Sequence, residues 1–95
     1  DYVFLADQDD VWLPQKLMNL FLSLKKLEGD EKFPSVVYSD LEVVDRDLRP
    51  LADSWWRYSE MPSTWGLSLK NLLMQNSVPG CSMVVNRKLL DIALP

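Results

Sequence analysis

Apolar residues along the chain fall into short blocks whose spacing switches between two residues and three or four, so strands and helices should alternate. Tyr2-Val3-Phe4-Leu5-Ala6 is an unbroken apolar run, too short for a helix, and reads as a buried strand. From Pro14 onward the pattern changes. Leu17, Leu20, Phe21, Leu24 and Leu27 recur at helical intervals, with Gln15, Lys16, Asn19, Ser23, Lys25 and Lys26 between them. This predicts an amphipathic helix opened by Pro14, whose missing N–H costs nothing in a first turn, and stopped near Glu28-Gly29. Lysines in the last turns suit the negative end of the helix. Ser35–Ser39 reads as a second strand and Leu41–Val44 as a third, with a turn at Asp45-Arg46-Asp47 and a returning arm over Leu48–Leu51. Ser54–Trp65 has no period and reads as a loop covered by its own aromatics. Gly66–Gln75 reads as a helix, Asn76–Gly80 as a break, Cys81–Val85 as a strand and Arg87–Ala93 as another helix.

The alternation predicts an α/β class, with a short mixed sheet and flanking helices. In such sheets ligands bind beyond the carboxyl ends of the strands. Asp7, Asp9 and Asp10 stand there, directly after the first strand.

Composition narrows the chemistry. Hydrophobic content of 47% and charged content of 25% describe a chain that can bury a core, and argue against disorder. A net charge of −4 argues against a nucleic-acid binder, which needs a basic face for phosphates. There is no histidine, which removes His-containing triads and imidazole zinc sites. Cys81 is the only cysteine, so no internal disulfide is possible; a reducing compartment fits, and the residue reads as a small core side chain. No apolar run approaches the roughly 20 residues that span a bilayer. The chain opens without Met, straight into an apolar run, and reads as a piece of something longer.

Three carboxylates packed this closely repel one another unless a cation or donors face them. In extended backbone Asp7 and Asp9 would point to one side, and hard oxygen ligands of that kind suit Mg²⁺ or Mn²⁺. An Asp-rich turn, with Asp10 capping the following helix, accounts for the same residues without a metal. An EF-hand loop starting at Asp7 would need Gly at 12 and Glu at 18, where Trp12 and Met18 stand. A haloacid dehalogenase-type phosphatase would want Thr where Val11 stands. Pro79-Gly80 serves equally as a plain turn or as a place where backbone approaches a ligand closely. Trp12 reads as a wedge between helix and sheet. Trp55, Trp56 and Trp65 read as packing or as the lining of a sugar-binding groove.

The string Phe4-Leu5-Ala6-Asp7-Gln8-Asp9-Asp10-Val11-Trp12-Leu13-Pro14-Gln15-Lys16-Leu17 resembles the central motif of family 2 glycosyltransferases with the GT-A fold, in their rhamnosyltransferase-like branch. Val37-Tyr38-Ser39-Asp40-Leu41 with Val44-Asp45, and Asn76 to Arg87, resemble two later segments in the same order. The resemblance implies that residues 1–95 are the central and C-terminal part of one catalytic domain, a partial GT-A, Rossmann-like fragment. The nucleotide-binding half would precede Asp1, and the catalytic base would follow Pro95. It implies a donor side formed by Asp7, Asp9 and Asp10, with Asp9 the direct ligand of Mg²⁺ or Mn²⁺ and Asp7 its metal- or ribose-proximal partner. Gly80 and Asn76 would lie on the acceptor side.

The implied reaction is inverting transfer of a sugar, rhamnose among the candidates, from a nucleoside-diphosphate donor. The acceptor would be a surface-polysaccharide or lipid-linked glycan, and the setting the cytoplasm, peripheral to the inner face of a membrane. The isolated chain would be inactive. The alternative is a non-catalytic module that binds a divalent cation or a carbohydrate. An unpaired edge at Tyr2–Ala6 would favour self-association.

Overall fold

A computed structural model describes residues 1–95. In chain order the elements are β1 (Tyr2–Phe4), α1 (Lys16–Glu28), β2 (Val36–Tyr38), β3 (Val43–Val44), β4 (Pro50–Ala52), α2 (Trp55–Tyr58), α3 (Leu69–Met74), β5 (Met83–Asn86) and α4 (Arg87–Ala93), with 3₁₀ turns at Trp65–Leu67 and Gly80–Ser82. They form two compact units, one of Asp1–Ser39 with Gly80–Pro95, the other of Asp40–Pro79.

The first unit carries a three-stranded sheet in the order β1-β5-β2. β5 runs antiparallel to both neighbours, pairing Val84 with Phe4 on one side and with Val37 on the other. β1 and β2 therefore run the same way, joined through α1 but separated by β5, a split β-α-β arrangement. The mixed sheet expected from sequence is corrected here: every hydrogen-bonded strand pair is antiparallel. The physical reason is that β5 arrives from far along the chain and takes the place beside β1 that β2 would have filled.

α1 lays Leu20 and Leu24 on this sheet, where they meet Val84, with Tyr2, Phe4 and Val37 packed around them. Tyr2 also meets Phe21 edge-on, ring centroids 5.1 Å apart. β1 lies at the sheet edge, but only over residues 2–4 of the expected run.

The buried end of α1 is polar. The Glu28 carboxylate accepts hydrogen bonds from the Tyr2 hydroxyl (2.6 Å) and from Asn86 Nδ2 (2.9 Å), and pairs with Lys25 Nζ at 3.3 Å. Asn86 also donates to the Phe33 carbonyl, while its Oδ1 accepts from the backbone N–H groups of Ser35 and Leu89. One side chain thus joins β5, α1 and the approach to β2, and caps α4. Gly29 ends α1 at φ 62° and ψ −167°, a conformation open essentially to glycine alone.

The second unit is built from turns and caps. β3 and β4 form a hairpin, Val43 opposite Ala52, around a turn in which Asp45 Oδ1 accepts from the N–H groups of Asp47 and Arg49. α2 forms inside the stretch expected to be a loop. Its N-cap Ser54 accepts from the N–H of Arg57 and donates to the Asp40 carboxylate, which also accepts from the N–H groups of Leu41 (2.8 Å) and Trp56 (3.1 Å). Further on, Trp65 Nε1 donates to the carbonyls of Asn71 and Gln75, folding the 3₁₀ turn back on α3. No helix in the molecule is long and apolar enough to cross a membrane.

Candidate metal centre

Beyond Phe4 the chain leaves the sheet and turns. The N–H of Asp10 donates to the carbonyl of Asp7 at 3.3 Å, with Gln8 and Asp9 as the central residues of the turn. A turn of this kind brings its first and fourth residues together. A carboxylate oxygen of Asp7, one of Asp10 and the Sγ of Cys81 accordingly lie within 4.8 Å of one another. Asp9 sits at the exposed turn and is outside this group. The extended backbone that would have aligned Asp7 with Asp9 does not form, so it is Asp10 that joins Asp7.

Cys81 reaches the cluster because the Gly80–Ser82 turn leads into β5, which pairs with β1. Burial pushes its thiol up, the hydrogen bond to Asp10 and the negative charges of Asp10 and Asp7 push it further, and Lys16 opposes them, leaving it at about 11. At neutral pH it is therefore a thiol, able to donate to Asp10 and unsuited to nucleophilic attack. Sequence reasoning assigned Cys81 to the core; nothing in the sequence shows that the turn carrying it lies beside the acidic one.

Lys16 supplies the neighbouring positive charge. Its Nζ donates to the Cys81 carbonyl at 2.6 Å and stands 4.2 Å from the centroid of the Trp12 ring. Trp12 in turn packs against Phe4 of β1, centroids 6.2 Å apart. The start of α1 is thereby pinned beside the acidic turn.

Two exposed carboxylates that offer hard oxygens, and leave the remaining positions to water or phosphate oxygens, fit the usual protein share of a Mg²⁺ or Mn²⁺ shell. The thiol does not fit a hard ion; sulfur suits softer metals.

The other candidate residues are placed less distinctively. Gly80 adjoins Cys81, and a Cβ built on it would meet Leu5 Cδ1 at 3.5 Å, an ordinary contact, so the position does not require glycine. Asn76 belongs to the second unit, where its side chain accepts from the N–H of Val78 (3.0 Å) and donates to the Val78 carbonyl (3.1 Å), closing a turn on itself. Comparison of the chain with protein families, with characterised proteins and with solved structures gives no match.

Proposed function

We propose that the chain is part of a nucleotide-sugar-dependent, inverting glycosyltransferase of GT-A type, and that Asp7 and Asp10 hold its divalent ion, Mg²⁺ or Mn²⁺. The observation that supports this is the meeting of two carboxylates at the end of a sheet strand, on a solvent-exposed turn with a lysine beside it. The ordered likeness of three sequence segments to such enzymes supplies the reaction class. A bound ion there would supply Lewis-acid stabilisation of the charge that develops on a departing nucleoside diphosphate.

The chain's own groups do the rest of the local work. The Asp7–Asp10 turn presents two oxygens on one side. Lys16 is fixed beside Cys81 by the Cys81 carbonyl and by the Trp12 ring. Cys81, held protonated, restrains Asp10 without competing for a hard ion. Asp9, expected as the direct ligand, lies at the centre of the turn and outside the pair. Gly80, next in sequence to Cys81, is kept as the acceptor-side residue on the sequence likeness alone. No general base is assigned among the residues of the chain.

Titration with Mn²⁺, followed by the loss of the free-ion electron paramagnetic resonance signal, tests the metal site. Binding should disappear in Asp7→Asn and Asp10→Asn and persist in Cys81→Ser. In a protein that carries this chain with its flanking sequence, Asp10→Asn should lower sugar transfer by roughly 100-fold, the scale of removing one electrostatic stabiliser. Transfer at the wild-type rate in that variant would end the reading; Mn²⁺ binding with no effect on any transfer would instead favour a non-catalytic cation-binding module.

A further inference from the structure

Cys81 is the member of the metal cluster that a hard ion leaves unused. Its place there is set by the fold. The Gly80–Ser82 turn carries it into β5, and two hydrogen bonds to carbonyls pin that turn. Lys16 Nζ donates to the carbonyl of Cys81 at 2.6 Å, and the N–H of Ser39 to that of Ser82 at 3.0 Å. Ser82 itself is fully buried. The sulfur is thus delivered to Asp7 and Asp10 from far along the chain, on a backbone fixed from both sides.

Two oxygens and a sulfur form a different ligand set from two oxygens alone. Thiolate sulfur favours ions such as Zn²⁺ and Cd²⁺ over Mg²⁺ and Mn²⁺. A tetrahedral Zn²⁺, bonded to oxygen at about 2.1 Å and to sulfur at about 2.3 Å, holds those donors about 3.6 Å apart. The three donor atoms lie within 4.8 Å of one another, so modest side-chain rotations close the set without moving the backbone. We infer that Cys81 opens this centre to thiophilic divalent ions, which take Asp7, Asp10 and Cys81 together where a hard ion takes the two carboxylates. As the metal–sulfur bond forms, the S–H bond breaks and its proton passes to solvent; nothing is oxidised or reduced. Three protein ligands leave one open position on a tetrahedral ion, whereas two leave four on an octahedral one. A diphosphate held through two oxygens needs two positions, so the thiophilic ion inhibits the proposed transfer. That consequence rests on the transferase reading; the ligand set does not.

Titration with Cd²⁺ under anaerobic conditions, followed by the ultraviolet thiolate-to-metal charge-transfer band, tests the ligand set. The band should saturate at one ion per chain and vanish in Cys81→Ser. Asp7→Asn and Asp10→Asn should each need about tenfold more Cd²⁺ or more, at least the loss that follows removal of a group supporting a metal ligand. Zn²⁺ added to the Mn²⁺-loaded chain should return the free-ion paramagnetic resonance signal. In Cys81→Ser that return should need about tenfold more Zn²⁺ or more, with the affinity for Mn²⁺ unchanged. Far-UV circular dichroism that matches wild type in each variant separates a lost ligand from a lost fold. No band at saturating Cd²⁺ overturns the inference, because Cys81 then serves only as a hydrogen-bond donor to Asp10. A band of unchanged affinity in both Asp variants overturns it as well, since sulfur alone would hold the ion. So does Zn²⁺ that displaces Mn²⁺ equally well from wild type and from Cys81→Ser. Cd²⁺ held by all three groups in a chain that takes up no Mn²⁺ supports this inference and ends the hard-ion reading, so the two fail separately.

Discussion

The two units of the molecule are stabilised in different ways. Of the buried apolar side chains, Leu20, Leu24, Val84 and Val85 belong to the first unit and Met61 alone to the second. The first unit is a sheet with a helix laid on it, sealed at one end by the Glu28–Asn86 network. The second relies on hydrogen bonds that end or start elements: Asp45 in its hairpin turn, Asp40 and Ser54 at α2, Ser68 at α3, Trp65 on the carbonyls of Asn71 and Gln75. Burial is cooperative because each side chain packs against several others, whereas a cap satisfies a group or two locally. The first unit should therefore unfold as a whole, and the second should open piecemeal at lower free energy.

The largest test of that contrast is the core itself. Leu24 is fully buried between Leu20 and Val84, and Leu24→Ala should lower the unfolding free energy by about 3 kcal/mol, through lost burial and the cavity left behind. Met61→Ala, in a unit with little other buried apolar surface, should cost about half as much and leave the urea midpoint of the first unit nearly unchanged. Equal losses from both, followed by circular dichroism and Trp fluorescence in urea, would mean that the units share one cooperative transition.

Asn86→Ala comes next. It strips a donor from Glu28 and from the Phe33 carbonyl, and an acceptor from the N–H groups of Ser35 and Leu89, all in a covered site. A loss of about 2–3 kcal/mol is expected where buried polar groups are left unpaired. The same network sets an acid limit. The Tyr2 hydroxyl and the Asn86 amide, with help from Lys25 and against the effect of burial, hold the Glu28 carboxyl down from 4.5 to about 2. The unfolded chain takes up this proton first, so the contribution is complete above pH 4.5 and drains as pH falls toward 2. Glu28→Gln should flatten the stability profile in that window while leaving the neutral region parallel to wild type. An unchanged acid slope would place the linkage elsewhere.

In the second unit the matching residue is Asp40. Burial raises its carboxyl, but the Ser54 hydroxyl and the N–H groups of Leu41, Trp56 and Trp55 outweigh burial and hold it below its ordinary value. Asp40→Ala should cost about 1–2 kcal/mol, the range for losing a helix cap with several partners. The effect should be local: faster amide exchange at Trp55, Trp56 and Arg57, with the amides of β5 unaffected. Acceleration at Val84 and Val85 would contradict the separation of the two units.

Which of these features could be read from the sequence follows the range of the interactions. α1 was legible because Leu20, Leu24 and the residues around them repeat within one helix, and Gly29 marks its end. The positions of the strands were legible for the same local reason, but their pairing was not: nothing near Val84 announces that it will lie between Phe4 and Val37. α2 went unread because part of its cap, Asp40, lies far upstream of Trp55. Asn86 carried a local signal, an Asn directly before a helical pattern, yet its reach to Glu28 depends on the tertiary fold. In the acidic turn, treating Asp7 to Asp9 as extended paired the wrong positions geometrically; the turn that joins Asp7 to Asp10 is a local feature, and the arrival of Cys81 is not.

The smallest prediction probes the hairpin of the second unit, where the sequence and the backbone disagree. The turn after β3 places Leu48 at φ 62°, followed by Arg49, whose carbonyl accepts from the N–H of Asp45 at 3.0 Å. A left-handed residue closing a three-residue hairpin loop is a place for glycine, because a Cβ there crowds the following carbonyl. Leu48 gains little in exchange, since its side chain is exposed. Leu48→Gly removes the crowding but adds backbone freedom to the unfolded chain, so the net gain should be only about 0.5–1 kcal/mol. Because Asp45 and its hydrogen bonds stay in place, the gain should appear as slower amide exchange at Asp47 and Arg49, with no change at Leu24. A loss of stability on Leu48→Gly would mean that this side chain packs in solution, and that the second unit holds more of a core than its buried residues indicate.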